Sequence, residues 1–169
     1  MPSFVAEDGT GMSTATSLCS VADADDHFTT HPLGTTRWAS ALTTGQKQSK
    51  LMQSTAIAAR ELRWRGSLVN QAQALPLPAS GLYDHLGREL GYTSVPADVA
   101  KGIAELAGLI DSQGVIAGGA ASVKSKSTGP TSVAYGGGGN SAAGIAGIPG
   151  EVIRWLRPYI YTEPLMVRA

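Results

Sequence analysis

The clearest helical pattern in the chain is the stretch Thr43-Thr-Gly-Gln-Lys-Gln-Ser-Lys-Leu-Met-Gln-Ser-Thr-Ala-Ile-Ala-Ala-Arg-Glu-Leu-Arg-Trp64. Thr43 and Gln46 have the spacing of a capping box, in which each side chain satisfies a free backbone N–H group of the other residue. We therefore predict a helix from about Gly45 to Trp64, with one polar face and one apolar face. The residues that recur at helical spacing on its apolar face are Leu51, Thr55, Ala58 and Leu62.

Three further helices are predicted on either side of this stretch. The first begins after Ser20, which forms a second capping-box pattern with Asp23, and ends before Pro32. The second begins at Pro96 and the third at Pro149, because proline suits the first position of a helix. Their expected buried stripes are Val21, Ala24 and Phe28; Val99, Ile103, Leu106, Ala107 and Ile110; and Val152, Trp155 and Leu156.

The last third of the chain has a different composition. From Gln113 to Gly150 there is no Asp or Glu, and eleven residues are Gly. This stretch contains a predicted β-hairpin, Val123–Tyr135, and the chain closes with an extended tail, Pro158–Ala169. We predict a helical bundle over residues 1–112, a hairpin and Gly-rich segment over 113–150, and a short helix with a docking arm over 151–169. Such a chain cannot bury all of itself, so neighbouring molecules are expected to complete it.

Charge and composition narrow the class of protein. The 13 basic and 13 acidic residues cancel, whereas a free nucleic-acid-binding domain normally carries a basic surface. One cysteine excludes an intrachain disulfide framework. The sequence shows neither a signal-peptide pattern nor an apolar run of the roughly 20 residues that a membrane span needs. We expect a soluble protein of intracellular origin without a membrane partner.

Three patterns could carry chemistry, and each has a simpler explanation. His27 and His31 share a helix face near carboxylates, but no third or fourth ligand follows at a recognisable spacing, so we predict no metal site. Cys19 lies beside a helix start, where a small thiol packs well. The run Gly136–Gly139 lacks the Gly-Lys-Ser/Thr ending of a phosphate loop. We therefore expect a protein that is not an enzyme, with no catalytic residue and no cofactor.

Two other groups could contact nucleic acid. Lys124 and Lys126 point to the same face of the predicted hairpin strand. In one interpretation, a ring of copies brings these lysines together as a band of positive charge. In the other, they discourage unwanted pairing at a strand edge. Both interpretations stay open. The tryptophans at 38, 64 and 155 could stack on bases, but no alternation of basic and aromatic residues surrounds them, which favours core packing.

Several short motifs follow one another in a recognisable order. They are Val5-Ala-Glu-Asp-Gly-Thr-Gly11, Ser20-Val-Ala-Asp-Ala-Asp25, the Trp38 turn, Arg63-Trp-Arg-Gly66, Gln73-Ala-Leu-Pro-Leu-Pro78 with Gly81-Leu-Tyr-Asp84, Val95-Pro96, Val123-Lys-Ser-Lys126 with Gly129-Pro-Thr-Ser-Val-Ala-Tyr135, and Leu156-Arg-Pro158. In this order they resemble a family of tailed-bacteriophage proteins often labelled DnaT-like single-stranded-DNA-binding proteins, which are similar to head-to-tail connectors, also called adaptors. The chain departs from the family pattern at Leu77, where Trp is usual, and in its longer insert Gly136–Gly147.

The resemblance implies a mainly α fold: a small bundle of about four helices with a protruding β-hairpin and an extended C-terminal arm. It implies a homo-oligomeric ring, expected to be twelvefold, that binds the portal protein, extends the DNA channel and joins head to tail. The tail-side partner would be a stopper, a tail terminator or the tail tube, and non-specific contact with genomic DNA is expected. The protein would be made in the host bacterial cytoplasm and end in the virion.

The same resemblance assigns roles to two sets of residues. The portal-binding arm would include Trp155, Tyr159, Ile160, Tyr161, Leu165, Met166 and Arg168. The hairpin residues that face the DNA lumen or a neighbouring subunit would be Lys124, Lys126 and Tyr135. Two alternatives remain: a single-stranded-DNA-binding protein, as the family label says, and another ring component of the junction, such as a tail-completion protein.

Overall fold

A computed structural model of the chain describes residues 3–38, 42–84, 86–110 and 147–161, together with the backbone of 126–128 and 131–133. It contains helices α1 (Val21–Thr30), α2 (Gly34–Arg37), α3 (Thr44–Glu61), α4 (Ala97–Leu109) and α5 (Gly150–Leu156), the last continued by a 3₁₀ turn, Arg157–Tyr159. The strands are β1 (Ser67–Leu68), β2 (Ala79–Ser80), β3 (Lys126–Thr128) and β4 (Thr131–Val133). The predicted mainly α fold with a β-hairpin is confirmed.

Helix α3 begins at the predicted capping box. The Thr43 hydroxyl accepts from the Gln46 amide at 3.3 Å, and the Gln46 side chain accepts from the Thr43 amide at 2.9 Å. The helix ends at Glu61 rather than at the predicted Trp64, because the backbone turns extended at Leu62. The residues after Leu62 then pair with the C-terminal segment, so the last predicted turn of helix is exchanged for tertiary hydrogen bonds.

At the start of α1 the predicted capping box is only half formed. The Asp23 amide donates to the Ser20 hydroxyl at 3.1 Å, as predicted. The Asp23 carboxylate, however, accepts from the Ser20 hydroxyl at 2.7 Å. One orphan N–H of the helix start is satisfied in this way, which is enough to define where α1 begins.

Helix α4 lies at the centre of the core and contacts α1, α3 and α5. Every residue of its predicted stripe is at most 1% exposed: Val99, Ile103, Leu106, Ala107 and Ile110. Its contact with α5 is unusually close at Gly102, where an added Cβ would lie 2.8 Å from Leu156 Cδ2 and 3.1 Å from Trp155 Cβ. The absence of a side chain at this one position lets the two helices approach.

The connection between α3 and α4 is irregular and packs on the helices. Strands β1 and β2 form a two-residue antiparallel ladder. The Gln73 side chain holds the turn between them, because its oxygen accepts from the amides of Val69 and Asn70, and its nitrogen donates to the carbonyls of Leu75 and Pro78. Leu77, the residue of this loop at which the chain departs from the family pattern, is fully buried.

Two further β-pairings lie outside the helices, one in the hairpin and one that holds the C-terminal segment. Strands β3 and β4 pair antiparallel with Ser127 opposite Ser132, which confirms the centre of the predicted hairpin. After the 3₁₀ turn, Ile160 forms an antiparallel bridge with Trp64. No helix in the described part of the chain has the length and apolarity needed to cross a membrane.

Substituting Gly102 tests the close contact between α4 and α5. We expect Gly102→Val to lower the free energy of unfolding by about 1–3 kcal/mol, because the new side chain would overlap Leu156 in a packed core. The control is Gly45→Ala in α3, where an added Cβ meets nothing within 4 Å. That change should instead stabilise by about 0.5–1 kcal/mol. Urea denaturation measures both, and equal stabilities of the two variants would contradict this contact.

Candidate functional site

The two histidines that the sequence places on one helix face both reach a buried carboxylate. The Nε2 atoms of His27 and His31 each lie 2.9 Å from Oε1 of Glu105 on α4. The Leu33 amide donates to Nδ1 of His31 at 3.0 Å, so that nitrogen carries no proton and Nε2 donates to Glu105. Within the described residues, no group of three His, Cys, Asp or Glu side chains is arranged to hold a metal ion.

Arg37 completes this network, which we call the Glu105 network (His27, His31, Arg37, Glu105 and Glu151). Its Nη1 atom lies 3.3 Å from Oε2 of Glu105 and 3.2 Å from Oε1 of Glu151 on α5. The Glu105 side chain is only 5% exposed, so its charge requires the donors that surround it. The network therefore connects α1, α2, α4 and α5 as a structural clamp.

A pocket of about 540 Å³ lies beside this network, between the N-terminal segment, α1 and α4. The Glu7 carboxylate shapes its rim by accepting from the amides of Gly9, Gly11 and Met12. Gly9 has φ +101°, and a Cβ there would collide with the Thr93 carbonyl oxygen, so this turn requires glycine. The ionisable residues of the lining are Glu7, Asp8, Asp23, Asp26, His27 and Lys101.

Cys19 is unsuited to nucleophilic chemistry. Its side chain is 2% exposed. Burial, assisted by the nearby Asp23 carboxylate, raises the pKa of the thiol to about 12. The nucleophilic form of cysteine is the thiolate, which at neutral pH is essentially absent at this position. Cys19 therefore packs in the core beside the start of α1.

The three tryptophans are engaged inside the molecule. Trp38 is 5% exposed and stacks on Phe28 with ring centroids 5.3 Å apart. Its Nε1 donates to Asp25 at 2.6 Å, beside Lys47. Burial alone would raise the pKa of Asp25, but the hydrogen bonds from Lys47 and Trp38 outweigh it and hold that pKa below its usual value. The partly buried tryptophans are Trp64, which donates to the Ala58 carbonyl, and Trp155, which meets the His27 ring edge-on.

Part of the predicted portal-binding arm belongs to the core. Tyr159 is 3% exposed and Ile160 is fully buried, so neither side chain is available to a partner in this structure. Tyr161, in contrast, is 50% exposed. An exposed arm can therefore start no earlier than Tyr161. The other predicted arm residues, Leu165, Met166 and Arg168, lie outside the described residues.

Of the predicted hairpin residues, only Lys126 falls within the described backbone. It is the first residue of β3 and lies opposite Val133 in the ladder. Lys124 and Tyr135 lie outside the described residues. The lysine band predicted for a ring of copies therefore stays a prediction.

Sequence reasoning missed a cationic cluster that tertiary pairing assembles. The guanidinium carbons of Arg63 and Arg65 each lie 5.2 Å from the centre of the Tyr161 ring. Two backbone hydrogen bonds fix this arrangement: the Arg65 amide donates to the Tyr159 carbonyl, and the Tyr161 amide donates to the Arg63 carbonyl, both at 2.8 Å. The signal in the sequence is the motif Arg63-Trp-Arg, whose alternation points both arginines to one side. This motif is itself a basic–aromatic alternation, so the statement that none surrounds the tryptophans was wrong at Trp64.

Removing the central carboxylate tests the Glu105 network. We expect Glu105→Ala to lower the free energy of unfolding by about 3–5 kcal/mol, because it leaves Arg37 and two histidines without their buried acceptor. Glu151→Ala is the matched control, since that side chain is 48% exposed and its ion pair should contribute only about 0–1 kcal/mol. Equal losses in urea denaturation would mean that Glu105 is no more important than a surface carboxylate.

Thiol labelling tests the burial of Cys19. At pH 8 we expect Ellman's reagent to react with the folded protein at least about a thousandfold more slowly than with the protein unfolded in guanidinium. The reason is that a pKa of about 12, against 9.0 for the free thiol, lowers the thiolate fraction by that factor. Cys19→Ser supplies the blank. Rapid labelling under native conditions would show that the start of α1 is open.

Comparisons with known proteins give one match. No curated protein and no solved structure matches the chain. A family model described as "Putative DnaT-like ssDNA binding protein" matches residues 2–168, which is nearly the whole chain. The chain therefore belongs to this DnaT-like family.

Proposed function

We propose that the chain is a structural head-to-tail connector of a tailed bacteriophage, assembled as a ring under the portal. The observation that carries this proposal is the distribution of exposed apolar side chains. Of the seven large hydrophobic residues that are exposed among the described residues, five fall in the loop between α3 and α4: Leu68, Val69, Tyr83, Leu86 and Tyr92. We propose that these side chains, which all lie on this one connection, are removed from water by contact with a neighbouring protein.

The buried residues that flank two segments of the chain support the same role. Segment 111–146 begins after Ile110, which is 1% exposed, and ends just before Ile148, which is fully buried. The C-terminal residues 162–169 follow an equally anchored bridge at Ile160. We propose that residues of the segments 111–146 and 162–169 contact neighbouring copies. Heterologous contacts of this kind close into rings when the rotation between copies allows it.

We propose a role without catalysis. The buried thiol and the carboxylate-bound histidines leave no activated nucleophile or open metal ligand set among the groups that the sequence singled out. The proposed partners are other copies of the chain, the portal protein, and a tail-side protein at the junction. The proposed location is the virion.

A second candidate function is single-stranded-DNA binding. It is the ligand that the family description names. The cationic cluster around Tyr161 is the specific observation that favours it.

Deleting residues 162–169 tests the connector proposal without opening the core, because Tyr159 and Ile160 are kept. In a phage carrying the shortened gene, we expect DNA-filled heads and separate tails rather than joined particles, as counted by electron microscopy. The matched control replaces 162–169 with a Gly/Ser segment of equal length. This control should fail to join in the same way if the side chains of the arm bind the portal.

The shortened protein should also keep the unfolding midpoint of the full chain, since the buried residues Tyr159 and Ile160 are retained. Normal joined particles from both variants would overturn the portal-arm assignment. A symmetric reconstruction of the particle that places the chain away from the head–tail junction would overturn the connector proposal itself.

A further inference from the structure

We infer that Arg63, Arg65 and Tyr161 form a binding site for single-stranded DNA, in which the guanidinium groups contact phosphates and the tyrosine ring contacts an unpaired base. The family description names the ligand class but no residue. The site belongs to the single chain, so it does not depend on ring assembly.

The backbone holds the three side chains in place before any ligand arrives. Ile160 and Trp64 are partners in an antiparallel bridge, and the amides of Arg65 and Tyr161 donate across it at 2.8 Å. Ile160 is fully buried beneath the bridge. Both arginines therefore start from a fixed strand-like backbone, which reduces the conformational entropy lost when they bind a ligand.

The two positive charges of the cluster are not neutralised by the described part of the molecule. Neither Arg63 nor Arg65 has a carboxylate within ion-pair distance among those residues, whereas Arg37, Arg60 and Arg88 each have one. Both residues are exposed. A guanidinium group offers planar paired donors that match the oxygen atoms of a phosphate. Two of them, held against one ring, favour a ligand with repeated anionic groups.

The half-exposed tyrosine ring distinguishes single strands from duplexes. Tyr161 is 50% exposed, so half of its surface is accessible to a ligand. The bases of a duplex are already stacked, whereas a single strand can offer one base to an aromatic side chain and its phosphates to nearby cations. Such contacts read no sequence, because every base has a flat face.

Fluorescence anisotropy with a labelled oligothymidylate tests the site on the purified full-length protein. At about 50 mM salt we expect binding that weakens as salt rises. Arg63→Gln combined with Arg65→Gln should reduce the slope of log affinity against log salt by about 1.4, as expected for two lost phosphate contacts. Tyr161→Leu should weaken binding about fivefold or more, while leaving that slope unchanged.

Matched variants separate this site from general charge and from misfolding. Arg154→Gln removes one exposed arginine of α5 and should weaken binding less than Arg63→Gln does. Arg63→Lys combined with Arg65→Lys keeps both charges and should retain the salt slope. All variants should melt at the wild-type temperature, since the bridge is formed by backbone atoms.

Three results would overturn the inference. They are no binding by the wild-type protein at about 50 mM salt, equal losses for Arg154→Gln and Arg63→Gln, and equal affinity of the wild-type protein for the oligonucleotide and for its duplex. Each result concerns the isolated chain in solution. Failure here would therefore leave the connector proposal standing, and a failed connector would leave this site untouched.

Discussion

The enclosure of α4 is the constraint on which the rest of the structure depends. This helix is covered by α1, α3 and α5, and Glu105 is a charged residue within its buried surface. Burying an ionised carboxylate costs several kcal/mol unless donors surround it. The donors are His27 on α1, His31 immediately after α1, and Arg37 on α2. The need to satisfy one carboxylate therefore fixes how the N-terminal helices dock on the centre of the fold.

The second constraint is the pairing of the C-terminal segment with the end of α3. Because the bridge at Trp64 takes up the backbone groups of residues 63 and 65, α3 cannot continue to the length that its apolar pattern suggests. The same bridge buries Ile160 and leaves Tyr161 at the surface beside two arginines. One short interaction thus ends a helix, anchors the tail and assembles a charged surface.

Local patterns were sufficient to predict the helical elements. The Thr43 capping box and the buried stripe of α4 depend on residues three or four apart, and both are confirmed. Interactions between distant residues were not predictable in this way. The partner of His27 and His31 is Glu105, a residue far along the chain that the sequence pattern did not single out. The family resemblance placed Tyr159 and Ile160 in an extended arm, but the bridge to α3 places them in the core.

Zero net charge weighed against nucleic-acid binding at the level of the sequence, yet net charge is an average over the surface. Arg60 and Arg88 are matched by adjacent carboxylates, while Arg63 and Arg65 are not matched by any described residue. A small patch that no described carboxylate pairs, on a neutral protein, binds a polyanion weakly, since each phosphate contact contributes little at physiological salt. In a ring of identical copies the patch would be repeated around one axis, and repeated weak contacts add through effective concentration.

A DNA channel requires contacts that hold the strand's position without reading its sequence or stopping its movement. Weak, repeated phosphate contacts have that property, so the arginine–phosphate contacts of the inferred site suit the proposed ring, whereas its tyrosine–base contact needs an unpaired strand.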